Sequence, residues 1–331
     1  MAPSYAGAAN NGGRPTLLVL RALGLGDLLT AVPALRALAD AFPNHRRVLA
    51  APRTLAPLAA LTGAVGEVVD VRPLAPLPAA LRDADVAVNL HGRGPQSHRV
   101  LLDARPRRLI SFANPRVPES AGSPPWRSGE HEVSRWCRLL EGSGIPADPG
   151  RLDLSPSSRP VPQSARGATL IHPGAASAAR RWPADRWAAV ARFEAANGRA
   201  VIVTGGTDEV DLARSVAEGA GLEEAAVYAG RTDLLDLAAV VAAAGRVVCG
   251  DTGVAHLATA LGTPSIVIFG PVSPAEWGPP PDRPWHRTIW AGRRGDPHAD
   301  APDPGLLEVG VPAVLDALVE LPEADLSRRS G

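Results

Sequence analysis

Short apolar runs alternate along the chain with longer stretches whose apolar residues recur every three or four positions. The first run, residues 16–21, is followed by a stretch in which Leu28, Val32, Leu35 and Leu38 share one side of a helix. A continuous apolar run of this length is typical of a strand buried on both faces of a parallel sheet. The alternation therefore predicts an α/β chain with doubly wound parallel sheets.

The same alternation predicts strands and helices in both halves of the chain. Strands are predicted at 16–21, 48–51, 67–71, 86–90, 108–112, 169–172, 200–204, 226–228, 247–249 and 265–269. Helices are predicted at 28–42, 55–61, 77–81, 133–140, 184–196, 209–218, 234–243, 254–261 and 311–321. Residues 279–305, which are rich in proline, glycine and aspartate, are predicted to be irregular.

A proline- and serine-rich stretch without periodicity separates two such alternations and predicts two domains. At 331 residues the chain is long enough for both. The expected parts are a disordered tail at 1–15, a first domain at 16–150, a linker at 151–166, a second domain at 167–305, and a C-terminal helix and tail at 306–331.

The composition excludes several classes of function. The chain has 34 basic and 34 acidic residues, so we expect no nucleic-acid partner. All the basic residues are arginines, which excludes a Schiff-base lysine and a Walker-type phosphate loop. The two cysteines lack metal-ligand spacing, and no segment reaches the roughly 20 apolar residues of a membrane span. We therefore expect a cytoplasmic protein without a signal peptide, at most peripheral to a membrane.

The turn between the strand at 247–249 and the next helix has the composition of an anion site. Asp251 or Thr252 can cap the helix, and Gly253 lets a ligand approach the backbone closely. The first turn of a helix offers free N–H groups at the positive end of the helix dipole. His256 lies one turn into the helix, within reach of the same ligand. The spacing alone fits a capped core helix equally well.

Two other polar stretches follow predicted strands in the first half. Asp27 precedes a helix, where it is either an N-terminal cap or a catalytic group. The stretch after 86–90 carries His91, Arg93 and Ser97, which are either ligand contacts or ordinary loop residues. The residues by themselves leave both alternatives open.

Residues 250–271, GDTGVAHLATALGTPSIVIFGP, resemble the C-terminal signature of glycosyltransferase family 9, the ADP-heptose heptosyltransferases. Members of that family carry Asp-Thr/Ser-Gly, His-Leu, Ala-Leu-Gly-x-Pro and Phe-Gly at this spacing. Two further stretches match in order: Arg21, Asp27 and Pro33 near the N-terminus, and residues 171–183, which contain Pro-Gly and Arg-Arg-Trp-Pro. The resemblance covers most of the chain.

This resemblance implies the GT-B architecture, in which two Rossmann-like domains bind the ligand in a cleft between them and a last helix packs back across the first domain. It implies that Asp27 is the general base that takes the proton of an acceptor hydroxyl. Gly26, His91, Arg93 and Ser97 are then expected on the acceptor side.

The resemblance also implies a donor site in the second domain. Arg180 stands where relatives have a lysine on the donor phosphates, and Arg181 occupies a variable position beside it. Gly174 and Ala176 belong to the same loop. Relatives often have Ser or Thr at the Ala176 position, so either Ser177 or a backbone N–H would have to supply that contact.

The remaining donor contacts are expected from three turns. Glu209, with Asp208 as the alternative, would hold the ribose, and Thr232 would border the base. The phosphate site would be completed by Asp251, Thr252, Gly253 and His256.

Together these features predict an inverting glycosyltransferase that needs neither a metal nor a cofactor. The donor is expected to be a nucleotide-diphosphate sugar, ADP-heptose by family, and the acceptor a glycan or a small molecule. We expect a monomer, and no cluster of residues has metal-ligand spacing. Two alternatives stay open. A sugar-nucleotide epimerase would turn over the donor without an acceptor, and a catalytically silent homologue would bind the donor and transfer nothing.

Overall fold

The computed structural model describes residues 14–322, in which the chain divides into two compact units with the boundary after Leu152. Each unit is built on one five-stranded parallel sheet flanked by helices. This confirms the prediction of two doubly wound α/β halves. Most of the predicted N-terminal tail and the last residues, from 323 onward, lie outside the described residues.

The described part of the first unit contains five strands and five α-helices. The strands are β1 (Thr16–Leu20), β2 (Arg46–Ala51), β3 (Glu67–Asp70), β4 (Val86–Asn89) and β5 (Arg108–Ile110). The helices are α1 (Leu25–Thr30), α2 (Val32–Ala41), α3 (Ala56–Leu61), α4 (Gln96–Asp103) and α5 (Glu132–Glu141). The sheet order is β3-β2-β1-β4-β5, and every neighbouring pair is parallel.

The strand order places β1 at the centre of the first sheet. From β1 the chain builds β2 and β3 on one side and then returns to build β4 and β5 on the other. Leu20 pairs with Asn89 where β1 and β4 run side by side. Open α/β sheets bind ligands at the carboxyl ends of the two strands that flank such a reversal. The residues after Leu20 and Asn89 are therefore placed for function.

The second unit repeats this plan. Its strands are β6 (Thr169–His172), β7 (Val201–Val203), β8 (Arg246–Gly250), β9 (Ser265–Phe269) and β10 (His286–Trp290). Its helices are α6 (Ala184–Ala196), α7 (Val210–Ala220), α8 (Leu234–Ala243), α9 (Gly253–Ala260), α10 (Pro274–Trp277), α11 (Pro304–Glu308) and α12 (Val311–Glu320). The order β10-β9-β8-β6-β7, again all parallel, puts the reversal between β6 and β8.

The central strands are buried along almost their whole length, which explains why they stand out in the sequence as continuous apolar runs. All five residues of β8 and all five of β9 are buried. The core of the second unit also contains Trp182 and Trp187, whose rings meet edge to face with centroids 5.0 Å apart. Such pairs add about 0.5–1.5 kcal/mol beyond the area they bury.

Two predicted elements are wrong. Instead of a strand at 226–228, the chain forms a 3₁₀ turn at Glu224–Ala226 and then a single bridge between Val227 and Val203. Instead of a helix at 77–81, there is a single 3₁₀ turn at Ala79–Leu81. Both stretches are apolar but short, and in the second one Pro76 lies directly before the stretch and Pro78 lies within it.

Four of these elements lie where none was predicted, and one of them is the short helix α10. The proline-rich stretch 279–305 contains the edge strand β10 and the start of α11, and the polar stretch after β4 leads into α4. β10 pairs only with β9 in its sheet, and its residues are mostly half-buried. A half-buried edge strand has a weak apolar pattern, so the surrounding prolines dominated the sequence prediction.

The last described helix, α12, packs within the second unit. Its buried residues Val314 and Leu318 belong to the core of the second unit, and its packing on the first half stays a prediction. α12 contacts α6, β9 and β10. The apolar stripe that the sequence shows on this helix is thus covered by its own unit.

Candidate functional site

Asp27 lies in the first turn of α1, just beyond the carboxyl end of the central strand β1. Its Oδ2 accepts a hydrogen bond from the Gly24 N–H at 3.2 Å and so caps the helix. Its Oδ1 lies 3.4 Å from Arg21 Nη2, and 27% of the side chain is exposed. The capping role is therefore real, and the carboxylate also keeps access to solvent.

Arg21 is almost fully buried and ties Asp27 to the end of the neighbouring strand. Its Nε donates to the Asp27 carbonyl oxygen at 2.6 Å, and its Nη1 donates to the carbonyl of Leu90, which directly follows β4. Its Nη2 donates to Thr30 Oγ1 and to Glu132 Oε1, each at 3.1 Å. A buried guanidinium needs such a set of acceptors. They fix the first turn of α1 beside the end of β4.

His91 lies among the same charges. Burial is the main reason why the pKa of His91 is lowered, the positive charge of Arg21 adds to this, and Asp27 opposes it. The imidazole is therefore neutral at pH 7. Its backbone N–H donates to Asn89 Oδ1 at 3.0 Å. Gly26 precedes Asp27 in the same turn and is half-buried, so two predicted acceptor-side residues, Gly26 and His91, share one end of the sheet with Asp27.

Ser97 is placed differently from this group. It is buried, and its Oγ accepts a hydrogen bond from Asn89 Nδ2 at 2.9 Å. The same amide lies 3.0 Å from His98 Nδ1, and His98 Nε2 lies 2.7 Å from the Phe112 carbonyl oxygen. Ser97 thus supports the turn after β4 and does not face solvent.

Arg93 lines an open cavity of about 390 Å³ together with Asn114, Arg116 and Trp126. Asn114 Nδ2 donates to the Arg93 carbonyl at 2.9 Å, and the Asn114 side chain also accepts the Arg116 N–H at 2.9 Å. Between residues 14 and 322, neither guanidinium has a carboxylate partner. Arg116 and Trp126 were missed in the sequence because they reach this cavity only through the fold.

In the second unit, Glu209 lies directly over Gly174. A Cβ atom built at Gly174 would overlap the Glu209 carboxylate, so only glycine leaves room for this approach. Glu209 Oε2 accepts the Gly206 N–H at 2.8 Å, whereas Asp208 is exposed. Of the two acidic residues, Glu209 is therefore the one at the ends of β6 and β7.

His172, the last residue of β6, lies beside this carboxylate and was missed in the sequence. Its Nε2 lies 4.0 Å from Glu209 Oε2, and its Nδ1 lies 3.0 Å from Thr204 Oγ1. Burial lowers the pKa of His172, and the Glu209 carboxylate opposes this. The imidazole is thus a neutral hydrogen-bonding group in the wall of the site. As the end of an apolar strand, it looks in the sequence like a core residue.

Arg180 reaches from the loop after β6 to the loop after β8. Its Nη1 donates to the Asp251 carbonyl oxygen at 3.2 Å and lies 3.9 Å from Asp251 Oδ2. Its side chain is 24% exposed, which leaves guanidinium donors for a ligand. Arg181 points elsewhere, because its Nε donates to the Ala175 carbonyl at 3.0 Å and the residue is exposed.

Asp251 is a buried carboxylate. Burial raises the pKa of Asp251 to about 6, and the positive charge of Arg180 limits the rise. Its backbone N–H donates to the Ile268 carbonyl at 3.1 Å, which fixes the turn at the end of β8. A buried carboxyl group that has lost its hydration is more typical of a functional site than of a hydrophobic core.

The helix α9 begins at Gly253, immediately after this turn, with Thr252 as its N-terminal cap residue in extended backbone. Among the residues described, no side chain caps the first N–H groups of the helix. His256 lies one turn further and meets the Trp277 ring edge to face at 5.9 Å. Backbone donors, a helix dipole and Arg180 therefore surround one end of the sheet, an arrangement suited to an anion.

Ser177 and Ala176 lie in the loop before Arg180. Ser177 Oγ accepts the Ala179 N–H at 3.2 Å and donates to the Ala299 carbonyl at 3.3 Å. Its hydroxyl thus shapes the 3₁₀ turn that carries Arg180 and is already engaged. Ala176 is exposed, so a backbone N–H remains the simpler substitute for the missing hydroxyl.

Thr232 is half-buried in the turn before α8. The neighbouring Arg231 pairs with Glu224 at 3.1 Å. The Gly230 N–H donates to the Gly205 carbonyl at 3.1 Å, so the turn around Thr232 lies beside the turn that leads to Glu209.

Metal-binding clusters and membrane-spanning helices are both absent from residues 14–322. No group of three or more His, Cys, Asp or Glu side chains is arranged to hold a metal ion in this part of the chain. Within the same residues, no helix has both the length and the apolar character needed to cross a bilayer.

Comparison with known proteins identifies related sequences. The model of glycosyltransferase family 9 (heptosyltransferase) matches residues 120–297. Lipopolysaccharide heptosyltransferase 3 of Escherichia coli is 30% identical over 128 residues, which are 37% of this chain and 36% of that protein. The chain thus aligns with about a third of the length of this relative.

Solved structures match the fold over nearly the whole chain. The E. coli ADP-heptose lipopolysaccharide heptosyltransferase II has a TM-score of 0.72 at 21% identity and covers 92% of this chain and 98% of its own. The E. coli heptosyltransferase WaaC, solved with ADP, has a TM-score of 0.70 at 20% identity and covers 93% and 100%. At these identities the likeness supports the fold alone.

Proposed function

Since the chain belongs to glycosyltransferase family 9, the heptosyltransferase family, we propose that it transfers a sugar from a nucleotide-diphosphate donor to an acceptor hydroxyl. The observation that carries this proposal is Arg180, fixed by Asp251 beside the free N-terminus of α9. A diphosphate leaving group needs such a concentration of positive charge. We further propose that the sugar is a heptose and the nucleotide is ADP, which the ADP bound to WaaC supports.

The donor would bind at the carboxyl ends of β6, β7 and β8. The diphosphate would take hydrogen bonds from Arg180 and from the first N–H groups of α9, with His256 one turn away. Glu209, held over Gly174 by the Gly206 N–H, would accept hydrogen bonds from the ribose hydroxyls. The turn at Thr232 would border the base. These groups supply the needed charge without a metal, so we propose a metal-independent reaction.

The acceptor would react at the first unit. Its hydroxyl oxygen attacks the anomeric carbon and forms the new C–O bond, while the bond from that carbon to the diphosphate oxygen breaks. The hydroxyl proton passes to the carboxylate of Asp27, which acts as general base. A single displacement of this kind inverts the anomeric configuration. Positive charge from Arg180 and α9 stabilises the departing diphosphate.

Acceptor contacts would come from the residues around Asp27. His91 is neutral and can donate or accept a hydrogen bond, and Arg93 and Arg116 supply charge at the edge of the cavity beside Trp126. A glycan suits this combination, because sugar hydroxyls bind polar groups and sugar faces pack on aromatic rings. The location in the cell remains our prediction of a cytoplasmic or membrane-peripheral enzyme.

A donor panel tests this function. ADP, UDP and GDP are compared by calorimetry, and ADP-heptose is then incubated with the protein with and without a lipopolysaccharide-type acceptor. We expect ADP to bind more tightly than UDP or GDP, and heptose to appear on the acceptor. Preference for UDP or GDP removes ADP-heptose from the proposal. Consumption of the donor without acceptor indicates an epimerase, and binding without turnover indicates a silent homologue.

A further inference from the structure

Glu132 is a charged residue that the first unit buries beside the proposed base. It is the first residue of α5 and is only 5% exposed. Its Oε1 accepts hydrogen bonds from Arg21 Nη2 at 3.1 Å and from Trp136 Nε1 at 2.8 Å, and its Oε2 accepts one from Arg135 Nη1. A carboxylate is rarely buried at this depth unless it is paired, and this one contacts two guanidinium groups.

The guanidinium of Arg21 connects Glu132 to Asp27. Through Nε it holds the backbone carbonyl of Asp27, and through Nη2 it faces the Asp27 carboxylate. The same Nη2 carries the hydrogen bond to Glu132. One nitrogen thus lies between two carboxylates, a buried one at 3.1 Å and a partly exposed one at 3.4 Å.

The geometry points to Glu132 as a positioning residue for the reaction: it holds Arg21 in place and thereby leaves the Asp27 carboxylate available to the acceptor. This inference rests on the proposed role of Asp27 as general base. Glu132 does not itself touch the substrate in this proposal, and it acts only through Arg21.

The physical reason is the charge balance of the buried group. Arg21 is 1% exposed and stacks on the Trp136 ring at 4.9 Å, so its charge must be balanced inside the protein. With Glu132 present, the buried carboxylate supplies this balance. Without it, the nearest remaining carboxylate is Asp27, which would be drawn toward Arg21 and away from the acceptor. Misplacement of a reacting group by about 1 Å can reduce the rate by roughly 10²-fold.

A double-mutant cycle tests the inference. Glu132→Gln keeps the shape and an acceptor oxygen but removes the charge, and it is made in the native chain and in the Asp27→Asn background. If Glu132 acts through Asp27, we expect kcat to fall by roughly 10–100-fold in the native background and to change little in the Asp27→Asn background. Dissociation of ADP, which measures the donor site, should not change. A purely structural role would lower the rate by the same factor in both backgrounds.

Glu194→Gln is the matched control. Glu194 is also buried, accepts a hydrogen bond from Thr169 and lies 3.8 Å from Arg246, but it has no contact with a proposed site residue. It should lower the melting temperature without lowering kcat. If Glu132→Gln does not fold, Glu132→Asp, which keeps the charge but retracts the carboxylate, goes through the same cycle.

The outcomes separate this inference from the proposed function. Full activity of Asp27→Asn alone would overturn the general base and with it the premise of the inference. A strongly impaired Asp27→Asn combined with a fully active Glu132→Gln, or with equal losses in both backgrounds, would overturn the role of Glu132 and leave the general base intact.

Discussion

Arg180 and Arg181 are neighbours with different surroundings, and this difference gives a sharp test of the donor site. Arg180 lies against Asp251 at the start of α9, whereas Arg181 is exposed and bound to the Ala175 carbonyl. We predict that Arg180→Ala weakens ADP binding by about 1.5–3 kcal/mol, the range for hydrogen bonds to charged groups.

The matched control is Arg181→Ala, which removes the same charge one residue further and should change ADP affinity by much less. Titration calorimetry with ADP measures both variants. The opposite order of effects would mean that Arg181 occupies the phosphate-binding position of the family and that the correspondence drawn from the sequence is shifted by one residue.

We expect the charged side chain of Asp251 to lower the free energy of unfolding at pH 8 and yet to favour ADP binding. Because burial raises its pKa to about 6, the folded protein binds the proton more tightly than the unfolded chain does, where aspartate titrates near 3.9. This contribution to stability is complete below about pH 4 and is lost as the pH rises to about 6. Asp251→Asn should therefore be more stable than the native protein at pH 8, by about 1–3 kcal/mol, and weaker in binding ADP.

Urea unfolding of both proteins at pH 4.5 and pH 8 measures this effect as the change in their stability difference. Asp316→Asn, a change on the exposed side of α12, is the control and should show no such change. An Asp251→Asn variant that is less stable than the native protein at pH 8 would show that the carboxylate contributes favourably through Arg180.

At the residue scale, the sequence indicated groups that are close along the chain and missed groups that the fold brings together. The turn of Asp251 to Gly253 was visible because a strand, a glycine turn and a helix follow one another directly. Glu132 was not, because 111 positions separate it from Arg21 and a glutamate that opens a helix usually serves the helix dipole.

At the scale of elements, the strands that are buried along their length were all predicted, and the one described strand that was missed, β10, lies at the edge of its sheet. β8 and β9 show as uninterrupted apolar runs, whereas in the edge strand β10 only His286 is buried, and prolines precede the strand closely. The apolar residues 226–228 were taken for a strand, yet only Val227 reaches the sheet, through one bridge to Val203. Apolar character alone does not show whether a partner strand is within reach.

The packing of α12 gives a prediction at this scale. Leu318 is 1% exposed in the core of the second unit, and its neighbour Val319 is 75% exposed. Leu318→Ala should lower the free energy of unfolding by about 2–5 kcal/mol, the usual effect of truncating a buried leucine. Val319→Ala, one residue along the same helix, should change it by less than about 0.5 kcal/mol.

Chemical denaturation of the two variants, monitored by tryptophan fluorescence, measures this difference. Trp182 and Trp187 lie in the same core as Leu318 and report its unfolding. Equal and small effects of both substitutions would mean that α12 is not held in the core of the second unit.

At the scale of the whole molecule, the two units share one feature: at the carboxyl ends of the strands, where we propose the sites, an arginine donates to a backbone carbonyl of a neighbouring loop. In the first, Arg21 donates to the carbonyl of Leu90, across the reversal between β1 and β4. In the second, Arg180 donates to the carbonyl of Asp251, across the reversal between β6 and β8. Each arginine thereby connects the loops that follow the two neighbouring strands at the reversal. The first also holds a carboxylate, and the second leaves donors free for an anion.

The division of labour between the units predicts that donor binding and transfer can be separated by mutation. Asp27→Asn keeps the side-chain shape and an oxygen for the Gly24 N–H, but it cannot accept the proton of the acceptor hydroxyl. A general base contributes about 10²–10⁴-fold to the rate, so we predict a loss of transfer of that size. ADP affinity, which we assign to the second unit, and the melting temperature should hardly change.

The control for this change is Asp70→Asn, since Asp70 also ends a strand of the first sheet and accepts a backbone hydrogen bond, from the Arg53 N–H at 2.8 Å. It should transfer sugar at the native rate. The measurement is the initial rate of transfer from ADP-heptose at saturating donor, with ADP binding measured in parallel.

If Asp27 served only as a helix cap, Asn would replace it without loss, because asparagine caps helices about as well as aspartate. A native rate for Asp27→Asn would therefore move the proton acceptor to another group around His91, whereas loss of both transfer and ADP affinity would contradict the assignment of the donor to the second unit alone.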